Sequence, residues 1–189
     1  VHHNLRRAAT LKLGINWEAL CAINPRLIYC HSSGYGNDGA WAPLPTFEPL
    51  LSAVTGMLNR TGGEGNPPLT YLTHMDYGCG MTSSGIVIAA LLERERSGLG
   101  QYVEVPEVGI GLLAMADVHG PSKDALMQTF PLGPTQRGHA PSNGLYPVRD
   151  GWIVLGCYGP AEWERLGTAL GVPAAQWPAF AEARAQRLE

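Results

Sequence analysis

A long apolar helix that runs directly into a short strand constrains the fold of this chain most. Apolar residues recur at helical spacing over residues 77–96, and Met81, Ile88 and Leu92 lie among them. Residues 97–100 contain two glycines and form a strong stop signal for that helix. The run that follows, residues 101–105, is rich in β-branched and aromatic side chains and predicts a strand. These residues therefore predict a long helix that a short strand follows directly.

The part of the chain before this helix repeats the alternation of helices and strands. Residues 27–30 form a short apolar run bounded by turn residues, which predicts a buried strand. The glycine-rich loop at 32–39 follows it, and ligands in open α/β sheets collect at such strand ends. Other expected elements are a strand end at 1–4, a helical turn at 5–14, a helix at 17–23 capped by Asn16, a helix at 46–57, a loop at 59–68, a short strand at 69–72 and a helix at 108–119.

The pattern changes near residue 140. Residues 130–144 are rich in Pro and Gly, and the runs 145–148 and 152–155 then predict a β-hairpin around the turn at 149–151. Pro160 opens a helix that Gly171 ends. We therefore expect residues 1–139 to belong to one domain and residues 140–189 to begin a second, smaller one.

Composition narrows the possible functions. Charged residues make up only 15% of the 189 residues, against about 25% in a typical domain. So low a charge suggests that much of the surface is covered by a partner or by further sequence. The net charge of -3 gives no electrostatic reason to expect binding to nucleic acid or to an anionic membrane. We found no run of about 18 apolar residues and no signal peptide pattern, so no membrane span is expected.

The four cysteines and the histidines show no metal-ligand spacing, so we expect no metal site. Free buried thiols are typical of a reducing cytosol, which predicts a cytoplasmic protein. Cys79 near a helix start is a candidate nucleophile, but a buried structural thiol is the better interpretation.

Asp76 is the most informative polar residue, because it precedes the long helix and is followed by Gly78 and Gly80. An ionised aspartate there suits a helix cap, and it also suits a nucleophile. Spacing alone favours the cap. Glycines in a first turn weaken a helix by roughly 1 kcal/mol each, however, and a simple cap gains nothing from that. Exposed backbone N–H groups beside a ligand would explain them, because such groups bind a developing oxyanion.

Several short segments, in this order, carry a resemblance to a known family. They are Asn4-Leu5-Arg6 with Leu13-Gly14, Ile23-Asn24-Pro25-Arg26-Leu27-Ile28-Tyr29-Cys30, Ser33-Gly34-Tyr35-Gly36, Thr61-Gly62, Asp76 with its glycines, Ala89-Ala90-Leu91-Leu92-Glu93-Arg94, Gly98-Leu99-Gly100-Gln101-Tyr102-Val103-Glu104-Val105 and Asp150-Gly151-Trp152. With these segments the chain resembles the class III CoA-transferases, the group of formyl-CoA transferase and the carnitine- and bile-acid-related CoA-transferases.

The resemblance implies an α/β fold: part of a Rossmann-like large domain in an interlocked homodimer, with the start of a smaller α+β domain. Members of the family are about twice as long, which implies that further sequence flanks residues 1–189. It also implies transfer of coenzyme A from an acyl-CoA to a carboxylic acid through an aspartyl-CoA thioester, with Asp76 as the nucleophile. Asn4 and Lys12 match family positions that contact CoA, and Phe47 stands where formyl-CoA transferase has a Tyr at the CoA. Gly78 and Gly80 would share the stabilisation of the oxyanion.

Two other interpretations remain open at the level of sequence. An α-methylacyl-CoA racemase of the same superfamily would pair the aspartate with a histidine, but residues 46–48 contain no histidine at the corresponding place. A non-catalytic module related to the CoA-transferases is the other alternative. It would account for the departures from the family pattern at Arg7, Pro45 and Phe47.

Overall fold

The computed structural model describes residues 1–63, 65–69, 74–116, 132 and 134–186. The chain divides into two compact units, one of Val1–Met57 with Tyr71–Met127 and one of Leu58–Thr70 with Gln128–Glu189. The elements follow in the order β1 His2–His3, α1 Arg7–Leu13, α2 Trp17–Ile23, β2 Ile28–His31, α3 Glu48–Val54, α4 Met57–Gly62, α5 His74–Ser97, β3 Gln101–Glu104, α6 Glu107–Ala114, β4 Gly138–Ala140, β5 Asn143–Val148, β6 Gly151–Gly156, α7 Pro160–Ala169 and α8 Phe180–Ala185. The domain boundary at residue 140 stays a prediction.

The first unit is built on a parallel sheet of order β1-β2-β3. Parallel neighbours require a crossover connection, usually a helix. Here α1 and α2 lie between β1 and β2 in sequence, and α3, α4 and α5 lie between β2 and β3. The expectation of a mixed α/β fold is therefore confirmed.

The two faces of this sheet carry different side chains, because successive residues of a strand point to opposite sides. On one face, Cys30 packs with Val105 and with Cys79 of α5 in an apolar cluster. On the other face, Tyr29 and Tyr102 stand opposite each other in the register, with ring centroids 5.8 Å apart. The Trp17 ring of α2 lies 6.1 Å from Tyr29. Helix α5 therefore covers the first face, and the N-terminal helices cover the second.

Helix α5 begins earlier than the sequence predicts. It starts at His74 instead of near residue 77, so Asp76 lies in its first turn. The interpretation of Asp76 as the cap that precedes the helix is therefore wrong. The helix ends at Ser97, and Gly98 follows with φ 76°, as the stop signal predicts.

Helix α5 is also long and apolar enough to cross a membrane by length and composition. This is weak evidence, because core helices of soluble proteins have the same properties. Met81 is 78% exposed and Leu92 is 66% exposed on this helix. The expectation that no segment spans a membrane stays a prediction.

The second unit contains the predicted hairpin. Strands β5 and β6 pair antiparallel up to Val148 opposite Gly151, which leaves a two-residue turn between them. Helix α7 begins at Pro160, and Trp163 packs with Cys157 and Ala183 in a separate apolar cluster. The loop predicted over residues 59–68 is partly wrong, because α4 continues to Gly62. The strand suggested over residues 69–72 extends outside the described residues.

Candidate active site

The N-termini of three helices in the first unit each carry a carboxylate. Glu48 is the first residue of α3, Asp76 is the third residue of α5 and Glu107 is the first residue of α6. The charge of Glu48 acts on Asp76, and the charges of Asp76 and Glu48 act on Glu107. Helices α5 and α6 lie on either side of β3 in sequence, so the start of α6 and the start of α5 are at the carboxyl edge of the sheet. We call Glu48, Asp76 and Glu107 the carboxylate cluster.

Glu48 supplies the cap that Asp76 does not. Its side chain is 6% exposed, and its Oε1 accepts a hydrogen bond of 3.2 Å from the backbone N–H of Met75. The first N–H groups of a helix have no partner inside the helix, so this bond satisfies one of them. The Oε2 atom is also buried, and it has no hydrogen-bond partner among the described residues.

Glu107 is held by its backbone. Its N–H donates to the carbonyl of Ser33 over 2.8 Å, and the N–H of Val108 donates to the carbonyl of Gly34 over 3.0 Å. The loop after β2 is therefore fixed against the start of α6. The side chain of Glu107 is half-buried, whereas that of Asp76 is exposed.

The surroundings of Glu107 favour the protonated form of its carboxyl group. Partial burial raises the pKa of Glu107 to about 7, and the negative charges of Asp76 and then Glu48 act in the same direction. The pKa of Asp76 is also raised, by desolvation first and by Glu48 second. Near neutral pH, the carboxyl of Glu107 is therefore partly protonated.

Close packing at glycines brings these helix ends together. A Cβ added at Gly78 of α5 would lie 2.5 Å from Cγ2 of Ile110 on α6. A Cβ added at Gly111 of α6 would lie 2.6 Å from Cε of Met75 and 2.7 Å from Cγ2 of Thr55, which follows α3. Only glycine allows these backbones to approach so closely.

The structure gives a different explanation for the presence of glycine at positions 78 and 80 than the exposed N–H groups expected from the sequence. Both lie beyond the first turn of α5, where a backbone N–H donates to the carbonyl four residues earlier. Their N–H groups are not left bare, so the expected oxyanion role of these amides is not supported. Gly78 makes room for Ile110, while a Cβ on Gly80 would meet nothing within 4 Å. A CoA contact at either glycine stays a prediction.

The other predicted site residues are spread along the first unit. Phe47 directly precedes Glu48 and is 71% exposed. Asn4 is exposed in the loop after β1, and Lys12 is exposed in the last turn of α1. Their contacts with CoA stay predictions. Cys79 is a free thiol, 2% exposed, and its Sγ–H donates to the carbonyl of Val105 over 3.4 Å. This burial supports its interpretation as a structural residue.

A second polar region lies on the tyrosine face of the sheet. It is a cleft of about 230 Å³. We call it the aromatic cleft, and its lining residues are Arg7, Thr10, Asn16, Trp17, Glu18, Tyr29, His31, Asn37, Asp38, Tyr102 and Glu104.

Polar groups in the aromatic cleft bind one another. His31 donates from Nε2 to the carbonyl of Leu5 over 2.9 Å, so its Nδ1 is the acceptor for Asn37 at 3.1 Å and for the Tyr102 hydroxyl at 3.3 Å. Asn37 also donates to that hydroxyl. Burial lowers the pKa of His31 and raises the pKa of Tyr102 to about 12, so neither side chain is charged near neutral pH.

Sequence reasoning missed Glu48 and Glu107. Each is an acidic residue at the start of a predicted helix, which normally indicates only a favourable interaction with the helix dipole. For Glu107, the one available signal was its place directly after the strand predicted at residues 101–105, where ligands of α/β sheets collect. No group of three or more potential ligand side chains in the described ranges has a geometry that could hold a metal ion.

Comparison with known proteins identifies the family to which this chain belongs. The family model of CoA-transferase family III matches residues 1–189, so the chain belongs to that family. Succinate–glutarate CoA-transferase of Agrobacterium fabrum is 27% identical over 179 residues, covering 92% of this chain and 44% of the relative. Succinyl-CoA–D-citramalate CoA-transferase of Chloroflexus aurantiacus is 32% identical over 178 residues, covering 92% of this chain and 43% of the relative.

Solved structures agree with the family assignment. A crystal structure of a mutant of Rv3272 from Mycobacterium tuberculosis has a TM-score of 0.77 at 25% identity, covering 97% of this chain and 48% of that chain. The chain therefore spans about half the length of the relatives that it matches.

Proposed function

We propose that the protein transfers coenzyme A between carboxylic acids and that Asp76 carries the CoA between them. Membership of CoA-transferase family III and relatives named as CoA-transferases support this proposal. The carboxylate cluster is the structural observation that supports Asp76 as the reacting residue. There, the carboxylate of Asp76 is exposed at the carboxyl edge of a parallel sheet, and the pKa of the neighbouring Glu107 is raised to about 7.

The proposed reaction divides one exchange into covalent steps. An oxygen of Asp76 attacks the thioester carbon of the acyl-CoA, the C–S bond breaks, and a mixed anhydride and CoA thiolate result. The thiolate attacks the Asp76 carbonyl of the anhydride, which releases the first acid as a carboxylate and leaves an aspartyl-CoA thioester. The acceptor carboxylate then attacks that thioester, and the same steps in reverse give the new acyl-CoA and free Asp76. No net proton is consumed.

The remaining parts of the proposal come from the family resemblance. Asn4, Lys12 and Phe47 are proposed to contact CoA, with Gly78 and Gly80 beside the reacting carboxylate. We also propose a Rossmann-like large domain, an interlocked homodimer and a cytoplasmic location. A racemase is the weaker proposal, because the position of its histidine falls in residues 46–48, which contain Thr46, Phe47 and Glu48.

Mass spectrometry tests the proposed intermediate directly. We expect the complete protein, mixed with succinyl-CoA and digested, to yield a peptide in which Asp76 carries CoA as a thioester. Treatment with hydroxylamine should convert that aspartate to a hydroxamate. Asp76→Asn should give neither product and should lose CoA transfer by about 1,000-fold or more, because the attacking oxygen is gone. Full transfer activity in folded Asp76→Asn would overturn the proposal.

A further inference from the structure

Three acidic side chains in the carboxylate cluster are unfavourable for the stability of the fold. Each acid at a helix N-terminus gains from the helix dipole, but three like charges close together repel one another. The ion pairs among the described residues, Arg26 with Glu95 and Arg96 with Glu93, involve the last turns of α5 at its other end. These ion pairs do not offset the repulsion among the three carboxylates.

The position of Glu107 is fixed from two sides. Its backbone is bound to Ser33, and α6 is pressed against α5 and the end of α3 at Gly78 and Gly111. The start of α6 cannot retreat from Asp76 without disrupting those contacts. A shift of the α6 backbone is therefore not available to relieve the repulsion between the two acids, whereas protonation of Glu107 is.

Glu48 supplies an independent indication that this region meets a ligand. One of its oxygens caps α5, and the other is buried without a hydrogen-bond partner among the described residues. A buried carboxylate oxygen without a partner costs free energy unless a proton or a ligand group reaches it. This oxygen belongs to a side chain whose charge acts on both Asp76 and Glu107.

Several described elements adjacent to α6 carry titratable groups. They are Glu48 at the start of α3, His74 and Asp76 in the first turn of α5, Tyr35 in the loop after β2 and Glu104 at the end of β3. Glu104 is engaged by the Ser33 hydroxyl over 2.6 Å. The charges that act on Glu107 are those of Asp76 and Glu48.

We propose that Glu107 is a specificity-determining residue, whose uncharged carboxyl allows an anionic acceptor acid to approach Asp76. This inference rests on the proposed CoA transfer. When Glu107 is protonated, the cluster has one negative charge fewer, so it repels the incoming carboxylate less. With Glu107 ionised, the acceptor is repelled. Glu107 forms no bond to the substrate, and its proton stays in place during each step.

The pH dependence of the second substrate tests this role. In the complete protein, kcat/KM for acetate or succinate as acceptor should fall about tenfold per pH unit above the Glu107 pKa of about 7. Most of the fall should appear in KM for the acceptor. Glu107→Gln, which is always uncharged, should remove this alkaline limb. Glu95→Gln is the matched control, because Glu95 is 71% exposed near the other end of α5, and it should keep the wild-type profile.

A second variant keeps the proposal testable if Glu107→Gln does not fold. Glu48→Gln retains an oxygen for the cap but removes one negative charge, so the alkaline limb should move to lower pH. A wild-type profile without an alkaline limb near pH 7 would overturn the proposal, as would a limb that persists unchanged in Glu107→Gln or stays in place in Glu48→Gln. Absence of the Asp76 adduct in the wild type would instead refute the proposed function itself.

Discussion

The carboxylate cluster and the aromatic cleft belong to opposite sides of one parallel sheet, and they treat their polar groups differently. In the aromatic cleft, His31, Asn37 and Tyr102 bind one another or the backbone. In the carboxylate cluster, the charges of Asp76 and Glu48 raise the pKa of Glu107, and an oxygen of Glu48 is buried without a partner among the described residues. A network that satisfies itself stabilises the fold. A group of acids that needs a proton and a ligand is what a reaction site requires.

The packing of α5 on α6 is the first way to test this difference. Gly78→Ala places a Cβ against Ile110, and such overpacking costs about 1–3 kcal/mol, whereas the better helix propensity of alanine returns up to about 1 kcal/mol. We expect a net loss in the free energy of unfolding, measured by urea denaturation. Gly80→Ala is the matched control, because its Cβ would meet nothing within 4 Å, and it should be neutral or stabilising. Equal stabilities would contradict the close approach that holds the cluster together.

These tests also separate what the sequence could predict from what it could not. The bounds of α2, the hairpin of β5 and β6 and the start of α7 follow local signals, and they agree with expectation. The start of α5 does not, because its cap comes from Glu48, which is 27 residues away from the Met75 amide that it binds. Local patterns contain no information about such a partner.

The candidate site shows the same limit. Asp76 is recognisable because glycines follow it and the family segments surround it. Glu107 is not, since its importance arises only when α6 is packed against α5. Gly78 illustrates the reverse case: its sequence context suggested a ligand, and the close approach of Ile110 supplies a structural reason instead. The roles of Glu107 and Gly78 both depend on how closely α5 and α6 pack, and local sequence patterns do not predict that distance.

Stability should depend on pH through the carboxylate cluster in a specific direction. The pKa of Glu107 is raised from 4.5 to about 7 in the folded protein, so between these values the folded state keeps a proton that the unfolded state has lost. The unfolded state therefore binds fewer protons, and the free energy of unfolding falls as pH rises through this window. Because Glu107 is only half-buried, solvent screening limits the loss to about 1 kcal/mol.

Urea denaturation at several pH values between 4.5 and 7 measures this loss. Glu107→Gln should reduce the slope, whereas the exposed control Glu95→Gln should leave it unchanged. If Glu107→Gln does not alter the slope of the unfolding free energy against pH, other groups cause the pH dependence. The carboxylate cluster would then not differ from the aromatic cleft in its response to pH.

The aromatic cleft should give the smallest effect. Tyr102→Phe removes a hydroxyl that binds His31 and Asn37, but the ring stacking on Tyr29 remains. A hydrogen bond contributes about 0.5–1.5 kcal/mol, and water in the cleft can replace part of it, so we expect a loss of about 1 kcal/mol or less in the free energy of unfolding. The loss should be the same at pH 7 and pH 9, because Tyr102, with a pKa of about 12, is uncharged at both, and His31, whose pKa is lowered, is neutral at both. A loss that grows with pH would mean that this network, like the carboxylate cluster, responds to a charge.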